Sequence, residues 1–588
     1  MTAIKTLCVY LQQMDSFVGL FDPDIQDETG SYITSFPDFL PPEAAEGNVE
    51  YKLKLVKPSK SRFEHLVTQM KWRLREGQGE AIYAIGVADG GTLIGLGDEE
   101  MKESLQTLYK MAEKLGADVT SLSERTVEDE RTGEKRTVAE FLVRKISDDQ
   151  HSLELRVAVL GSSDVGKSTL LGVLTQGEKD NGHGSARLNL FRHLHEIQSG
   201  RTSSISHEIL GFDSKGSAMT YSTCRTAEEI CDSSKKLITF IDLAGHQKYL
   251  KTTVFGLTGH SPHFAVLVVS AVSGLSGIAK EHLGLATVVD IPIVVVINKI
   301  DLATAVCLQR TLSQLENLLE TPSYQKVPFQ VNNEDDALTA ASSFASDKIA
   351  PIFSVSCVTG KGLDLLYTFL NVLPPTINQK DREYLMQQPA EFQVDETFHV
   401  PDVGIVVSGL LTSGVIHEGD NLLVGPSDSG KFSPAKVLSL HRHKVPSRVV
   451  RACESATLAL SSQTEISFRK GMVLISQHVR PPVCYFFQAK IQVLFHSSNI
   501  CAGFQASIHI GNIRQTVTIL GIMGKSSLSL NETASVIFKF IQRPECVHPG
   551  SKLLLRVGQT KAIGRVTQVF LLGDNLPLKV SPIYRSYY

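Results

Sequence analysis

The chain has 588 residues and a formal net charge of −4, from 58 basic and 62 acidic side chains. This length predicts about four domains, and the balanced charge gives no global signature of nucleic-acid binding, so DNA is not an expected partner and RNA contact would need local basic patches. The nine cysteines include no CxxC pair, which argues against a disulfide framework or a zinc site and favours a cytoplasmic protein with reduced thiols.

The N-terminal quarter predicts a tail and one small domain. Residues 1–50 lack sustained periodicity and predict a flexible tail, and neither a signal peptide nor a membrane-spanning apolar run is found, so no membrane association is expected. Residues 51–149 predict a small α+β domain of β-α-β-β-α-β-β order. In this domain Ser61 and Glu64 predict a capping box, and a pair of strands is expected to turn at Asp89. The sequence does not indicate what this domain binds or catalyses.

A phosphate-binding motif lies between the strand-like run Leu155 to Leu160 and a helical pattern that begins near Thr169. It matches the pattern GxxxxGK[ST] with Gly161, Ser162, Ser163, Asp164, Val165, Gly166, Lys167 and Ser168. In such a loop the backbone N–H groups turn toward phosphate oxygens, Lys167 reaches the β- and γ-phosphates, and the Ser168 hydroxyl binds Mg²⁺. The motif, with Thr169 at its end, predicts a site for a nucleoside triphosphate.

A second motif predicts hydrolysis. The strand-like run Lys236 to Ile241 ends in Asp242, and Gly245 and His246 follow after two intervening residues. Asp242 would hold Mg²⁺ through a water, and the Gly245 N–H would sense the γ-phosphate. The His246 imidazole could orient the water that attacks in line, the role of a Gln in other phosphate-loop hydrolases. The alternative is that His246 is incidental.

A third motif predicts that the base is guanine. Asn298, Lys299 and Asp301 follow the strand-like run Ile293 to Ile297. The Asp301 carboxylate can accept hydrogen bonds from the N1–H and the exocyclic amine of guanine, a donor pair that adenine lacks. Asn298 would brace the loop, and Lys299 would lie along the base. The alternative is a solvated turn after a strand.

The loop after the last predicted strand of this domain adds a contact to the base. It holds Ser356, Cys357 and Val358, and the Cys357 backbone N–H can donate to O6 of guanine. The segment before it, residues 303–350, predicts a helix with leucines at helical spacing and then a polar loop at residues 331–336.

The rest of the chain predicts two β-barrels. Short β-branched runs alternate with glycine turns after residue 375 and place the barrels at residues 383–478 and 482–573, before a tail at residues 574–588. The predicted fold is therefore multidomain. An α/β phosphate-loop domain is preceded by the small α+β domain and followed by the two barrels.

With these motifs the chain resembles the elongation factor Tu class of translational GTPases over about residues 153–573. Within that class it is most similar to the GTP-binding protein 1 and 2 family. The similarity rests on Leu155–Leu160, Leu170–Gly177, Phe191–Ser204 and Asp242–His246, of which the segment from Phe191 to Ser204 is the most specific. The resemblance implies a GTP-binding G domain at residues 153–375, followed by the second and third domains of a translation factor.

The resemblance also assigns roles by position. The first switch of elongation factor Tu contains Arg-Gly-Ile-Thr-Ile, whose Thr binds Mg²⁺, and the matching segment Arg201–Ile205 has Ser204 at that position. An apolar pair that flanks the attacking water in that class falls on the polar Ser163 and Ser203. We therefore do not expect water access to the γ-phosphate to be controlled as it is in elongation factor Tu. Asp164 matches an acidic position that can hold a monovalent cation beside the phosphates.

The implied function is GTP binding and hydrolysis at the ribosome, in translation elongation or in rescue and quality control of stalled ribosomes. GTP, GDP and Mg²⁺ are the expected ligands, and the ribosome and a tRNA or tRNA-shaped rescue factor are the expected partners. Two alternatives stay open: a GTP-gated regulatory switch without ribosome-stimulated turnover, and an elongation-factor-like metabolic GTPase. Basic residues that could face RNA, or solvent alone, are Arg62, Lys71, Arg73, Arg75, Lys135, Arg136, Arg144 and Lys145 in the small domain and Arg514, Lys552, Arg556, Lys561 and Arg565 in the last barrel.

Overall fold

The computed structural model of the chain describes residues 40, 42–44, 47–128, 135–146, 153–344, 348–401, 403–462, 467–494, 499–557 and 559–572. The tail predicted at residues 574–588, and most of that predicted at residues 1–50, lie outside these residues. Within the described part of the chain, no helix has the length and apolar character that crossing a membrane requires.

The first domain is a four-stranded sheet with two helices. Its strands are β1 (Val49–Lys52), β2 (Glu80–Ile85), β3 (Ala117–Glu128) and β4 (Lys135–Lys145), and its helices are α1 (Lys60–Glu76) and α2 (Asp98–Lys114). The strand order is β1-β2-β4-β3, with β1 and β2 parallel and β4 antiparallel to both neighbours. Met70 of α1 and Met111 of α2 are buried in one apolar cluster with Tyr83 of β2. The predicted α+β domain is confirmed.

The capping box predicted for α1 was wrong. The residue that caps the helix is Ser59, whose hydroxyl accepts the Arg62 backbone N–H at 3.3 Å. Ser59 has the extended backbone conformation that an N-cap needs, and the helix begins at Lys60. Ser61 therefore lies inside the first turn, where it cannot cap the helix.

The predicted strand pair around Asp89 is also not formed as two strands. β2 ends at Ile85, and beyond it the chain makes an isolated bridge between Val87 and Leu93 and another between Leu96 and Thr137. Gly86 has a φ of +90°, which is outside the extended region and turns the chain away from regular pairing.

Two basic residues considered above as facing RNA are buried in ion pairs. Arg73 is 3% exposed, donates to the Glu50 carboxylate at 2.5 Å and also pairs with Glu43. Arg144 is 1% exposed and lies 2.8 Å from the Glu80 carboxylate. A buried charge needs a partner of this kind because desolvation of an unpaired ion is costly. Arg73 and Arg144 therefore do not contribute to an RNA-facing surface.

The second domain is built on an eight-stranded, mostly parallel sheet. Its strands are β5 (Leu153–Leu160), β6 (Ser206–Phe212), β7 (Ala218–Met219), β8 (Lys236–Asp242), β9 (Phe264–Ser270), β10 (Ile293–Asn298), β11 (Val327–Gln330) and β12 (Ile349–Ser354). The order is β11-β12-β10-β9-β5-β8-β6-β7, and only the pairings of β6 with its two neighbours are antiparallel. The carboxyl ends of the parallel strands therefore meet at one edge, where ligands of such sheets bind.

Helices cover both faces of this sheet. They are α3 (Lys167–Gln176), α4 (Leu194–Ser199), α5 (Ala227–Ser233), α6 (Leu250–Gly259), α7 (Gly277–Val288), α8 (Ala305–Glu320), α9 (Glu334–Phe344) and α10 (Leu363–Val372), with 3₁₀ turns at Ser185–Leu190 and Gln247–Tyr249. Side chains of α3, α9 and α10 share one buried cluster, and those of α6, α7 and α8 share another. The strands between the two clusters are buried on both sides, which explains the continuous apolar runs of β9 and β10.

The polar loop predicted at residues 331–336 was wrong in its second half. Glu334, Asp335 and Asp336 form the first turn of α9, and the Asp336 carboxylate accepts the backbone N–H groups of Asn332 and Asn333 at 3.0 and 3.3 Å. Acidic residues are favourable at a helix N-terminus, where they face the unpaired N–H groups. A polar run of this composition is therefore as suited to starting a helix as to forming a loop.

Two closed β-barrels complete the chain after helix α11 (Gln379–Gln387). The first has β13 (Glu391–Val400), β14 (Gly404–Ser413), β15 (Val415–His417), β16 (Asn421–Gly425), β17 (Ser433–Arg442), β18 (Val445–Ser447), β19 (Val449–Arg451), β20 (Ser455–Ser462) and β21 (Val473–Ser476). The second has β22 (Val483–Val493), β23 (Ile500–Cys501), β24 (Gln505–Ile510), β25 (Ile513–Ile522), β26 (Ser527–Leu528), β27 (Thr533–Phe540), β28 (Glu545–Cys546), β29 (Lys552–Val557) and β30 (Gln559–Leu571). The ring β16-β21-β13-β14-β20-β17 is closed by pairing of β16 with β17, and the ring β27-β25-β24-β29-β30-β22 by pairing of β27 with β22. The predicted fold class is confirmed.

The G domain contacts both barrels through polar groups. Arg156 of β5 donates to the Cys453 carbonyl of the first barrel at 2.9 Å. Lys552 of the second barrel lies 2.7 Å from the Asp290 carboxylate. Lys552 thus forms an ion pair within the chain. The side chain of Lys561 lies outside the described residues.

Glu80 joins the first domain to the G domain, and its removal should destabilise both. Its carboxylate lies 2.8 Å from Arg144 and 3.2 Å from Lys236 of β8, and Lys236 is 0% exposed. Glu80→Gln leaves two buried cations without a counter-charge, so we expect the free energy of unfolding to fall by about 3–5 kcal/mol. Urea-induced unfolding followed by circular dichroism measures the loss. The control is Glu100→Gln, whose exposed pair with Lys54 should contribute little. Equal losses from the two variants would contradict the prediction.

Candidate nucleotide-binding site

The phosphate loop connects the end of β5 to the first turn of α3, and two glycines allow its path. Gly161 has a φ of +134° and Gly166 a φ of +93°. A Cβ at Gly161 would collide with the Val268 carbonyl, and one at Gly166 would collide with the Asn298 side-chain amide. Both positions therefore need glycine for backbone conformation and for close packing.

The Lys167 ammonium lies inside the curve of this loop. Lys167 is 6% exposed, and its Nζ donates to the Ser162 carbonyl at 2.9 Å. Burial lowers the pKa of Lys167, while the nearby carboxylates of Asp242 and Asp164 act in the opposite direction. A Cβ at Gly245 would collide with this ammonium, so the Asp242–His246 segment lies directly against the phosphate loop. This places the cation where negatively charged phosphate oxygens would compensate its burial.

His282 is a residue of the site that the sequence did not predict. Its Nδ1 accepts the Gly161 backbone N–H at 3.2 Å, and the side chain is 1% exposed on α7. Burial, followed by the charge of Lys167, lowers the pKa of His282 to about 3, so the ring is neutral and Nδ1 can accept. The residue lies in a mostly apolar helix, and no motif distinguishes it.

Three oxygen-bearing side chains form what we call the metal corner: Ser168, Thr202 and Asp242. The Ser168 hydroxyl donates to Asp242 Oδ2 at 2.6 Å, and the Thr202 hydroxyl lies 2.8 Å from Ser168 Oγ and 3.3 Å from Asp242 Oδ2. Asp242 is 1% exposed, burial raises its pKa, and its Oδ1 has no hydrogen-bond partner among the described residues. A buried carboxylate oxygen beside two hydroxyls is the type of oxygen donor set that Mg²⁺ prefers. The residues therefore fit the predicted Mg²⁺ ion.

The structure does not bring Ser204 to the metal corner. Its hydroxyl donates to Glu196 Oε1 at 3.1 Å, and neither Ser168 nor Asp242 is among its hydrogen-bond partners in the described chain. The prediction that Ser204 binds Mg²⁺ therefore disagrees with this conformation, in which Thr202 is the switch hydroxyl beside Asp242. Asp164, which was predicted to hold a monovalent cation, is exposed and lies 3.5 Å from the Arg201 guanidinium. A cation would compete with Arg201 for this carboxylate.

The residues predicted to read the base are joined to the phosphate loop. The Asn298 side-chain amide donates to the Val165 carbonyl at 3.3 Å, and Lys299 Nζ donates to the Asp164 carbonyl at 2.6 Å. Asp301 is exposed, so its carboxylate is accessible to a base. These contacts bring two separate sequence motifs, the phosphate loop and Asn298–Asp301, to one place.

The second base-reading loop is held from two sides. The Ser356 hydroxyl donates to Asp301 Oδ1 at 2.7 Å, and the backbone N–H of Asp180 donates to the Cys357 carbonyl at 3.0 Å. Lys179 Nζ adds a hydrogen bond to the Thr359 carbonyl at 3.0 Å. The sequence did not predict Lys179 or Asp180, since no motif marks the segment after α3.

The Cys357 thiol is not a reactive group. Cys357 is 4% exposed, and burial raises its pKa to about 12. Its Sγ lies 3.4 Å from Asn298 Oδ1, which places the side chain between the two base-reading loops. The neighbouring Val358 is 39% exposed and lies at the edge of the site.

His246 lies at the rim of the site. The side chain is exposed, and its Nδ1 accepts the Lys248 backbone N–H at 3.1 Å, which caps the 3₁₀ turn Gln247–Tyr249. Its ring meets the Tyr249 ring edge to face at a centroid distance of 6.2 Å. Catalytic use of His246 would require rotation from this capping position toward the phosphate loop, and such rearrangement on substrate binding is common.

Comparison with known proteins places the chain in a family. The sequence model of the elongation factor Tu GTP-binding domain matches residues 153–375. The chain is 57% identical to human GTP-binding protein 2 over 534 residues, 91% of this chain and 88% of the relative. It is 45% identical to Xenopus laevis GTP-binding protein 1 over 542 residues, 92% of this chain and 81% of the relative.

The fold has a counterpart among solved structures. Translation elongation factor SelB from Methanococcus maripaludis, in complex with the GTP analogue GPPNHP, is 20% identical with a TM-score of 0.51, covering 72% of this chain and 81% of that one. This neighbour shares the arrangement of a G domain followed by β-rich domains. On the identity to both relatives over nine-tenths of its length, the chain belongs to the GTP-binding protein 1 and 2 family and has the fold of a translational GTPase.

Proposed function

We propose that this protein binds GTP with Mg²⁺ and hydrolyses the GTP to GDP and phosphate, as a cytoplasmic factor that acts at the ribosome in elongation or in the rescue of stalled ribosomes. The observation that carries the proposal is the direct contact of Asn298 and Lys299 with the backbone of the phosphate loop. These bonds set the distance between the Asp301 carboxylate, which would read the base, and the backbone N–H groups of the phosphate loop, which would bind the phosphates. A ligand with guanine at one end and a triphosphate at the other fits both.

Each residue of the site would have a separate role in hydrolysis. Lys167 would supply a buried positive charge to the β- and γ-phosphates, and Gly245, which packs against the loop, would sense the γ-phosphate through its N–H. Mg²⁺, bound at the metal corner, would neutralise charge that develops on the phosphate oxygens. His246 would turn inward and hold the attacking water in line with the bond that breaks.

The ribosomal role is supported by what surrounds the G site. His246 directly follows the Asp242–Gly245 motif, and the two closed barrels follow the G domain as in a translation factor. We propose that the output of GTP binding is association with a partner, and that the partners are the ribosome and a tRNA or tRNA-shaped rescue factor.

A regulatory switch is the second candidate, because one observation favours it. His246 caps its own turn, and the polar Ser163 and Ser203 take the positions of an apolar pair that flanks the attacking water. Hydrolysis could then be slow and serve only to time the release of a protein partner. A metabolic GTPase with the same domains has no particular feature of this structure in its favour.

Nucleotide choice should depend on Asp301. Because an amide at this position would offer a donor where guanine also offers donors, Asp301→Asn should weaken GTP binding on the order of 10²-fold and shift preference to xanthosine triphosphate. Equilibrium titration with fluorescent GTP, ATP and xanthosine triphosphate measures the change. Asp364→Asn, at an exposed position of the same domain, is the control. Equal affinity of the unmutated protein for ATP and GTP would rule the assignment out.

His246 should affect the chemical step and not binding. His246→Ala should leave GTP affinity nearly unchanged and lower ribosome-stimulated turnover by on the order of 10² or more, since a water-orienting group acts mainly in the transition state. Turnover with and without ribosomes, together with GTP affinity, measures this split. Gln247→Ala, the exposed neighbour in the same turn, should leave turnover unchanged. Normal turnover of the His246 variant would mean that the imidazole is incidental.

Ribosome association should depend on the nucleotide. The elements before the phosphate loop and after the Asp242–His246 motif both contact the first barrel, through Arg156 to the Cys453 carbonyl and through His260 to Asp395 at 3.4 Å. A change in these elements can therefore alter how the barrel docks, and a partner that reads the docked form will prefer one nucleotide state. We expect ribosome cosedimentation with a non-hydrolysable GTP analogue and not with GDP. Equal binding in both states at physiological salt would favour the regulatory or metabolic alternatives.

A further inference from the structure

The segment that follows α3 is organised around one buried carboxylate, that of Asp180, which is 7% exposed. Donors of the same segment converge on both of its oxygens. Oδ2 accepts the backbone N–H groups of Gly182 and Gly184 at 2.8 and 3.0 Å. Oδ1 accepts the N–H of Ala186 at 3.0 Å and the hydroxyl of Ser185 at 3.3 Å. One side chain therefore holds the path of residues 180–186, which we call the Asp180 turn.

The Asp180 turn lies directly against α3, the helix that starts at the phosphate loop. Gly172 lies inside this helix, and a Cβ there would collide with the Ala186 carbonyl of the turn. Glycine inside a helix lowers its stability, and here it permits this close approach. The turn is thus supported on the side of the site that would hold the phosphates.

On its other side the segment contacts the loop at residues 356–361. The Asp180 N–H donates to the Cys357 carbonyl at 3.0 Å, and Lys179 Nζ donates to the Thr359 carbonyl at 3.0 Å. The aliphatic part of Lys179 lies against Gly360, whose φ is +86° and where a Cβ would collide with it. Two successive residues therefore hold this loop through its backbone.

We propose that Asp180 is a positioning residue for guanine, which holds the Cys357 carbonyl through its turn and so directs the Cys357 N–H toward O6 of the base. Lys179 would assist through the Thr359 carbonyl. The inference rests on the proposed binding of GTP, and it adds the segment after α3 to the groups that set base selectivity. Both residues would act through the loop and not by contact with the base.

The geometry of Cys357 carries the proposal. Its Sγ lies 3.4 Å from Asn298 Oδ1, and its carbonyl accepts the Asp180 N–H. Because the substituents of a Cα atom have fixed positions relative to one another, holding the side chain and the carbonyl limits where the backbone N–H can point. Asn298 supplies one of these two restraints, and the Asp180 turn supplies the other.

The strength of the turn comes from charge. Burial raises the pKa of Asp180, but the hydrogen bonds from the N–H groups of Ala186, Gly184 and Gly182 lower it below its usual value. The group is thus a carboxylate at neutral pH, and a charged acceptor makes stronger hydrogen bonds than a neutral one. Asp180→Asn keeps one acceptor oxygen and turns an NH₂ group toward backbone donors, whereas Asp180→Ala removes all four bonds.

The test isolates the contact to O6. In 6-thioguanosine triphosphate sulfur replaces O6, and the N1–H and exocyclic amine that Asp301 would read are kept. Sulfur is a weaker acceptor than a carbonyl oxygen, so the ratio of the affinities for GTP and for this analogue reports the O6 contact. Both dissociation constants are measured by competition with fluorescent GDP on the full chain and on its Asp180→Asn, Asp180→Ala and Lys179→Met variants. Glu178→Gln, at the exposed neighbouring position, is the control.

We expect Asp180→Ala to lower the affinity for GTP by about tenfold, the effect of losing one hydrogen bond, and the affinity for the thio analogue much less. The affinity ratio should therefore fall by nearly the same factor. Asp180→Asn and Lys179→Met should lower the ratio less than Asp180→Ala, and Glu178→Gln should leave it unchanged. A general loosening of the site would weaken both nucleotides equally and would not change the ratio.

Two outcomes overturn the inference while leaving the proposed function intact. One is an unchanged ratio in variants whose circular dichroism shows them folded, and Lys179→Met, at an exposed position, decides if the Asp180 variants do not fold. The other is equal affinity of the unmutated protein for GTP and the thio analogue while GTP is still preferred to ATP. Loss of the preference for GTP over ATP in the unmutated protein would instead overturn the proposed function, and this inference with it.

Discussion

The nucleotide site depends on the hydrogen bond from the Asn298 side-chain amide to the Val165 carbonyl, at 3.3 Å. It joins the end of β10 to the phosphate loop, and Gly166 makes it possible because a side chain there would occupy the position of the amide. Lys299 adds a second link through the Asp164 carbonyl. These two bonds join the segment that we propose reads the base directly to the loop that we propose holds the phosphates. Under that proposal, recognition of the base and recognition of the phosphates are coupled.

Strand β5 connects this surface to the first barrel. Its end leads into the phosphate loop, and its start carries Glu154, which lies 3.3 Å from His443 and 3.7 Å from Arg442 of the barrel. Burial raises the pKa of Glu154, but the charges of His443 and Arg442 lower it more, to well below its usual range. Buried ion pairs add little net stability because desolvation offsets their attraction, yet they are sensitive to orientation. Such a contact therefore favours one orientation of β5 relative to the barrel.

The sequence predicted the parts of the site that are short continuous motifs. It did not predict contacts between residues that are far apart in the chain. The phosphate loop, the Asp242–His246 segment and Asn298–Asp301 could be recognised because each motif is a short run on one strand end. His282 could not, since it lies 121 positions from its partner Gly161. Arg144 was considered exposed because its partner Glu80 lies on another strand.

Ser204 shows a further limit of prediction by position. Matching it to the Thr of another switch assumes that the two backbones follow the same path. The path here is set by Glu196, whose role depends on side-chain hydrogen bonds that a motif does not encode. The assignment of Ser204 to Mg²⁺ therefore stays a prediction, and the conformation described here brings Thr202, not Ser204, to Ser168 and Asp242.

The hydrogen bond of His246 bears on how it can act. Its Nδ1 accepts the Lys248 N–H, so a neutral ring with this bond carries its proton on Nε2. Rotation of the side chain toward the phosphate loop would break this bond and free Nδ1, so the bond does not determine which nitrogen carries the proton in a catalytic conformation. Gly245, the preceding residue, already packs against Lys167. A catalytic role for His246 therefore requires the 3₁₀ turn Gln247–Tyr249 to give up its side-chain cap.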